Sequence, residues 1–147
     1  LRGAWPAVVP VRFTAHSFPI PRAERSPYVS DLTASCGGVA RILGLGDWTI
    51  AYQSRSGDRR MPWLGPDISE SLRERAASGA REVVVEAIGF ISDHVEILYD
   101  LDVEAAELAR SLGLTMRRAP CVNDHPEFVA ALGRKALSLA AEVSSSP

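Results

Sequence analysis

Short apolar runs alternate with amphipathic stretches along the 147-residue chain. Apolar runs of strand length predict four strands, at residues 8–15, 48–53, 82–87 and 115–118. Amphipathic stretches bounded by capping and stop residues predict four helices, at residues 28–43, 67 or 69 to 77, 93–112 and 126–143. Gly37 and Gly38 interrupt the first helix, where a glycine costs about 1 kcal/mol.

Strands that alternate with helices are typical of a parallel sheet, because parallel neighbours need crossover connections that cover its faces. We therefore predict a three-layer α/β/α fold with a parallel four-stranded sheet. A single domain is expected over residues 1–143, and the polar residues 144–147 are expected to form a disordered tail. The first residue is Leu1 and a core strand follows soon after it, so we expect the chain to begin within a longer reading frame.

Composition excludes several classes of function. A net charge of −2 and scattered arginines provide no basic surface, so nucleic acid is not an expected partner. No apolar stretch approaches the roughly 18 residues of a membrane span, and no signal peptide is evident. We expect a cytoplasmic protein and leave peripheral membrane association open. Cys36 and Cys121 lack metal-site spacing, so we expect free thiols with a structural role.

Polar residues follow the carboxyl ends of three predicted strands, which is the edge where parallel sheets bind ligands. His16 follows the first strand, residues 53–55 follow the second and residues 90–96 follow the third. We therefore predict one site at this edge. Ser54 and Arg55 give a weak indication of anion binding, since arginine pairs with carboxylates through two hydrogen bonds.

The helix after the third strand carries Glu96, Asp100 and Glu104, and their spacing of four residues places them along one face. A row of carboxylates with a histidine at its mouth indicates a path for a divalent metal ion, and a solvated face is the alternative. His16 and Glu96 would provide an open position with two ligands for Fe(II), Co(II) or Zn(II). The alternative for His16 is a core histidine bonded to a backbone carbonyl.

Residues next to these candidates have supporting roles in the prediction. Asp93 is the expected N-cap of the acidic helix. His94 is expected either to support Glu96 from behind or to face the interior. Trp63 and Phe90 belong either to the core or to an apolar wall for a flat ligand, because ligand pockets are mostly apolar.

Five motifs resemble the carboxyl-terminal half of the ferrochelatase family, in the family's order and over nearly the whole chain. They are FTAHSFP (13–19), YQSRSG (52–57), PWLGPD (62–67), IGFISDHVEILYDLD (88–102) and NDHPEF (123–128). The resemblance implies a lyase of haem biosynthesis that inserts Fe(II) into protoporphyrin IX or coproporphyrin III. It also implies two similar α/β halves around the macrocycle, so this chain would be the carboxyl-terminal domain and the amino-terminal half would be a missing partner.

The resemblance assigns roles to individual residues. His16 and Glu96 are implied in metal binding and in removal of the pyrrole protons, without a decision on which does which. Asp100 and Glu104 are implied on a path from the pocket to solvent. The residues implied in porphyrin binding are Trp63, Phe90 and Ser54, and those implied in support of the site are Asp93 and His94.

The implied substrates are porphyrin and ferrous iron, and no permanently bound cofactor is expected. Some members of the family bind an iron–sulfur cluster through clustered cysteines, which this chain lacks, so no cluster is expected. Glu86 and Ala87 also stand where a proline usually precedes the IGF stretch. The alternatives are a half-size chelatase that pairs with itself and a porphyrin- or metal-binding module without turnover.

Overall fold

Four parallel strands form the central sheet in the computed structural model, which describes residues 9–58 and 60–144. The strands are β1 (Val11–His16), β2 (Trp48–Gln53), β3 (Glu82–Glu86) and β4 (Thr115–Ala119). Their order across the sheet is β2-β1-β3-β4, and each neighbouring pair is parallel. The predicted parallel four-stranded sheet is confirmed.

Helical segments make the connections between the strands. Those before β3 are α1 (Ile20–Ala23), α2 (Tyr28–Leu43) and α3 (Ile68–Ala77). Those after β3 are α4 (Val95–Leu98), a π-helical segment (Asp100–Ala105, "the π segment"), α5 (Ala106–Ser111) and α6 (Pro126–Ser144). Helix α2 forms over the predicted residues although it contains two glycines.

Helices cover both faces of the sheet, which confirms the three-layer arrangement. The core cluster on the α2 face includes Val11, Phe13, Ala15, Leu32, Cys36 and Val84. The cluster on the opposite face, under α3, the π segment and α5, includes Leu72, Val83, Val85, Leu101 and Ala109. Alternate residues of β3 therefore point to opposite clusters, as expected for a strand buried on both faces.

The ends of the chain differ from the prediction. Strand β1 begins at Val11 rather than at residue 8, which lies outside the described residues, and it extends to His16. Val11 is the first residue after Pro10 with an N–H group to donate, and that group bonds to the Asp47 carbonyl at 2.9 Å. Of the predicted disordered tail, Ser144 is the last residue of α6, and residues 145–147 lie outside the described residues.

The predicted helix at 93–112 differs in its start and in its middle. Asp93 is not the N-cap, because His94 occupies that position and α4 begins at Val95. The Asp93 carboxylate bonds instead to Arg118 and Asn123, which leaves the cap to the His94 ring. In the π segment the Glu104 N–H bonds to the Tyr99 carbonyl, five residues back, at 3.0 Å.

Both cysteines are free and buried, as predicted. Cys36 lies in the cluster under α2 and Cys121 lies in the cluster on the opposite face. Burial raises the pKa of each thiol to about 11, so both are protonated near neutral pH. Within residues 9–58 and 60–144, no helix combines the length and the hydropathy needed to cross a bilayer.

Gly89 lies so close to β1 that a side chain at this position would clash with it. A Cβ atom at residue 89 would lie 2.5 Å from the Ala15 Cβ and 2.7 Å from its Cα. We therefore expect Gly89→Ala to lower the free energy of unfolding by about 1–3 kcal/mol, because β1 and the loop after β3 must separate. Urea unfolding of the variant and the parent measures this.

Gly37→Ala is the matched control, since a Cβ at Gly37 would meet no atom within 4 Å. This replacement in the interior of α2 should raise the free energy of unfolding by about 0.5–1 kcal/mol. Equal stability of Gly89→Ala and the parent would contradict the close approach at Ala15.

Candidate functional site

His16 ends β1 and presents one ring nitrogen to the acidic helix. Its Nδ1 lies 2.6 Å from the Ser17 carbonyl oxygen. A carbonyl only accepts, so Nδ1 carries the proton of the neutral ring and Nε2 keeps a lone pair. Nε2 lies 3.8 Å from Glu96 Oε1. The hydrogen bond to a backbone carbonyl, which the alternative prediction for His16 required, is therefore present. It leaves the lone pair of Nε2 available to a ligand.

Glu96 lies in the first turn of α4, and its backbone is held on both sides. The Gln53 amide donates to the Glu96 carbonyl at 2.7 Å, and the Glu96 N–H donates to His94 Nδ1 at 3.3 Å. Gln53 is the register partner of His16 at the carboxyl ends of β2 and β1. The sequence places Gln53 at this edge without giving it a role, and a buried polar residue at the end of a strand is the signal that identifies it.

The separation of His16 and Glu96 suits a bridging ion better than a direct bond. At 3.8 Å the two atoms are too far apart for a hydrogen bond. A divalent ion about 2.0–2.2 Å from each atom contacts both. Among the described residues, no three His, Cys, Asp or Glu side chains are grouped to hold a metal ion. The spacing is compatible with two ligands of one open position, and metal binding by this pair stays a prediction.

Asp100 and Glu104 line a separate polar cleft of about 250 Å³. The other lining residues are Gln53, Ser54, Arg55, Asp67, Ile68 and Ser69. Ser54 has a left-handed backbone (φ 58°), and its hydroxyl donates to Asp100 Oδ2 at 2.5 Å. The three acidic residues therefore divide into two groups, because Glu96 faces His16 while the other two face this cleft.

The residues predicted to bind porphyrin lie around this edge in different surroundings. Trp63 is half-buried, its indole N–H donates to the Asp58 carbonyl at 3.2 Å, and its backbone bridges to Pro19. Phe90 packs against the core under α3, and its ring centroid lies 5.3 Å from that of His94. Phe90 thus supports the ring that caps Glu96, and the Ser54 hydroxyl is bonded to Asp100. Porphyrin contact by all three stays a prediction.

Two aromatic residues beside His16 were not predicted as part of the site. The Phe18 ring centroid lies 5.4 Å from that of His16 and 4.7 Å from that of Tyr28. The Tyr28 hydroxyl donates to the His16 carbonyl at 2.9 Å. Both line an open cleft of about 530 Å³ with apolar residues that include Leu32 and Ile88. This volume is within the range of small-molecule sites.

The pKa values of Asp93 and Glu86 are shifted in opposite directions. The hydrogen bond from Asn123 is the main cause that lowers the pKa of Asp93, and Arg118 acts in the same direction. Burial raises the pKa of Glu86 to about 7, although the positive charge of Arg118 acts to lower it. Near neutral pH, Asp93 is therefore ionised while Glu86 is partly protonated.

Comparison by sequence finds one matching family model and several relatives of known name. The family model described as Ferrochelatase matches residues 7–138. Ferrochelatase of Rhodopirellula baltica is 46% identical over 128 residues, which are 86% of this chain and 36% of the relative. Ferrochelatase of Deinococcus radiodurans is 43% identical over 139 residues, which are 92% of this chain and 44% of the relative. The chain thus spans less than half the length of these relatives.

One further relative and one solved structure extend the comparison. The coproporphyrin III ferrochelatase of Streptomyces coelicolor is 53% identical over 85 residues, 58% of this chain and 23% of the relative. A putative cobalamin (vitamin B12) biosynthesis CbiX protein from Marinobacter aquaeolei superposes with a TM-score of 0.63 at 15% identity. The superposition covers 90% of this chain and 96% of that one, and it shows a shared fold.

Glu86 makes stability depend on pH. Its folded pKa of about 7 lies above the ordinary value of 4.5, so folding takes up a proton between these values. The free energy of unfolding therefore falls as the pH rises through this window. We expect Glu86→Gln to be more stable than the parent by on the order of 1–3 kcal/mol at pH 8, and nearly equal at pH 4.5. Urea unfolding at both pH values tests this.

Glu82→Gln is the control, because Glu82 is an exposed residue on the same strand. Its difference from the parent should not change between the two pH values. A Glu86→Gln difference that is also constant with pH would contradict the raised pKa of Glu86.

Proposed function

Because the chain belongs to the ferrochelatase family, we propose that it takes part in inserting Fe(II) into a porphyrin, with His16 and Glu96 at the metal. The observation that carries this proposal is the open pair of His16 Nε2 and Glu96 Oε1 at 3.8 Å. One ligand is neutral and the other is anionic, which suits a borderline divalent ion that must be passed on.

Insertion replaces two pyrrole protons with one ferrous ion, so the site must accept protons as well as hold metal. The lone pair of His16 Nε2 and the carboxylate of Glu96 are each able to take one proton or one coordination position of the ion. Their backbones are fixed by the register of β1 with β2 and by the Gln53 hydrogen bond. This geometry supports both roles for either residue.

Asp100 and Glu104 are proposed to guide Fe(II) or protons between solvent and the pair. The polar cleft that they line and the Ser54 hydroxyl on Asp100 support this role. Carboxylates on an open surface attract a divalent cation without binding it tightly.

The macrocycle is proposed to bind between this domain and a second half. Relatives named as ferrochelatases are more than twice as long as the matched segment, which leaves room for such a half in them. Trp63, Phe90 and Ser54 are proposed to contact the macrocycle. The substrate is protoporphyrin IX or coproporphyrin III, and no permanently bound cofactor is required by this scheme.

A chimera tests the proposal, with this chain in place of the matching segment of the Deinococcus radiodurans relative. Metal insertion is followed by absorbance with Fe(II) and each of the two porphyrins. We expect His16→Ala and Glu96→Gln to reduce insertion by about 10²–10⁴-fold, because each removes a proton acceptor and a metal ligand. His125 is exposed just before α6, where its ring accepts from the Glu127 N–H, and asparagine can replace that cap. His125→Asn is therefore the control and should be as active as the parent.

Two outcomes would contradict the proposal. Full insertion activity in folded His16→Ala would show that the site assignment is wrong. A folded chimera that binds porphyrin and Fe(II) without inserting the metal would favour the alternative of a binding module. The preferred porphyrin in the same assay decides between the two substrates.

Asp100→Asn tests the role of the polar cleft. We expect the apparent KM for Fe(II) to rise several-fold at an unchanged kcat, because a carboxylate on the approach is lost while the Ser54 contact is retained. Glu107→Gln removes an exposed charge from α5, outside the residues that line the cleft, and is the control. Equal KM values for Asp100→Asn and the parent would exclude a role of this residue in delivery.

A further inference from the structure

We propose that Arg118 and Asn123 are positioning residues that set the location of the Glu96 carboxylate relative to His16. This inference rests on the proposed function of the His16–Glu96 pair. Arg118, Asn123 and the carboxylates that they bind, Asp93 and Asp102, are called the clamp. The clamp bonds to residues on both sides of Glu96 in the chain and includes none of the residues assigned to metal or porphyrin.

Arg118 joins two segments that lie on either side of Glu96 in the chain. Its Nε and Nη2 donate to the two carboxylate oxygens of Asp102, at 2.5 and 2.9 Å. Its Nη1 donates to Asp93 at 2.8 Å and to the Ala119 carbonyl at 3.0 Å. The side chain is only 12% exposed. A planar guanidinium with these contacts fixes the direction of both carboxylates, which an ammonium group does not do.

Asn123 fastens the loop before Glu96 to the connection between β4 and α6. Its Oδ1 accepts from the Asp93 N–H at 2.9 Å, and its Nδ2 donates to the Asp93 carboxylate at 3.0 Å. Its own N–H donates to the Ile91 carbonyl at 2.8 Å. Asn123 has a φ of +48°, a left-handed conformation that asparagine tolerates better than most residues.

Glu96 depends on such support because its carboxylate makes few contacts that fix its position. The side chain is 43% exposed, and in the described part of the chain its polar contact is His16 Nε2 at 3.8 Å. Its location therefore follows from the backbone, which the clamp holds three residues before it and six residues after it. Asp102 lies in the π segment, so Arg118 also fixes the irregular turn that follows Glu96.

The test measures Co²⁺ binding to this chain by absorption titration, with the metal ion alone as the probe. We expect Asn123→Gly and Arg118→Met to weaken Co²⁺ binding by about 10-fold or more, the effect of losing supports behind metal ligands. Asn123→Gly keeps the left-handed backbone accessible and removes the side-chain contacts. Hydrogen exchange at residues 91–98 should become faster in the same variants.

Two arginine variants separate positioning from charge and stability. Arg118→Lys should restore much of the thermal stability lost in Arg118→Met but not the Co²⁺ affinity, because lysine keeps the charge without the planar contacts. Arg117→Gln removes an exposed positive charge from the neighbouring residue and should bind Co²⁺ as the parent does.

Each outcome decides the proposal. Unchanged Co²⁺ affinity in folded Asn123→Gly and Arg118→Met, with or without a lower melting temperature, overturns the clamp as a positioning device. An equal loss in Arg117→Gln attributes the effect to net charge and also overturns it. A parent chain whose Co²⁺ binding is absent or insensitive to His16→Ala overturns the proposed site itself, and the positioning role with it.

Discussion

The hydrogen bond from the Gln53 amide to the Glu96 carbonyl joins the sheet to the acidic helix. Gln53 is 1% exposed and is paired in register with His16, so its side chain starts from a fixed point beside the histidine. At 2.7 Å the bond sets the first turn of α4 at a defined distance from β1. Without it, a buried amide would lose its partner at a cost of about 1–3 kcal/mol. The geometry of the His16–Glu96 pair therefore depends on the sheet rather than on the two side chains alone.

The π segment explains why the acidic row is not a simple helical face. Residues four apart in an α-helix differ in direction by about 40°, so three such residues drift by about 80°. A turn closed over five residues contains more than four residues, so the π segment interrupts the regular spacing after Tyr99. Asp100 and Glu104 line one cleft, whereas Glu96 lies in the regular turn that faces His16.

Much of the fold follows from local patterns in the sequence, and the site follows from the sheet's topology. Helix α2 and strand β2 have the predicted bounds, because their apolar periodicity is regular and their ends carry clear turn residues. The convergence of His16 and Glu96 follows from the rule that the carboxyl ends of parallel strands share an edge.

The parts that the sequence does not predict are those that depend on distant partners. Asp93 is a residue type that often forms an N-cap. Its carboxylate instead accepts hydrogen bonds from Arg118 and Asn123, which are 25 and 30 residues away in the chain. The π turn likewise has no local sequence signal. The Phe18 and Tyr28 contacts with His16 depend on how the loop after β1 folds back, which periodicity does not describe.

The burial of the two thiols has a consequence for metal partition within the domain. A thiolate binds borderline divalent ions more tightly than one imidazole and one carboxylate do, so an accessible cysteine would trap the ion and withhold it from transfer. With a pKa of about 11 and with separate core locations, Cys36 and Cys121 cannot act as a soft chelating pair. In residues 9–58 and 60–144, no exposed thiol therefore competes with the proposed His16–Glu96 position.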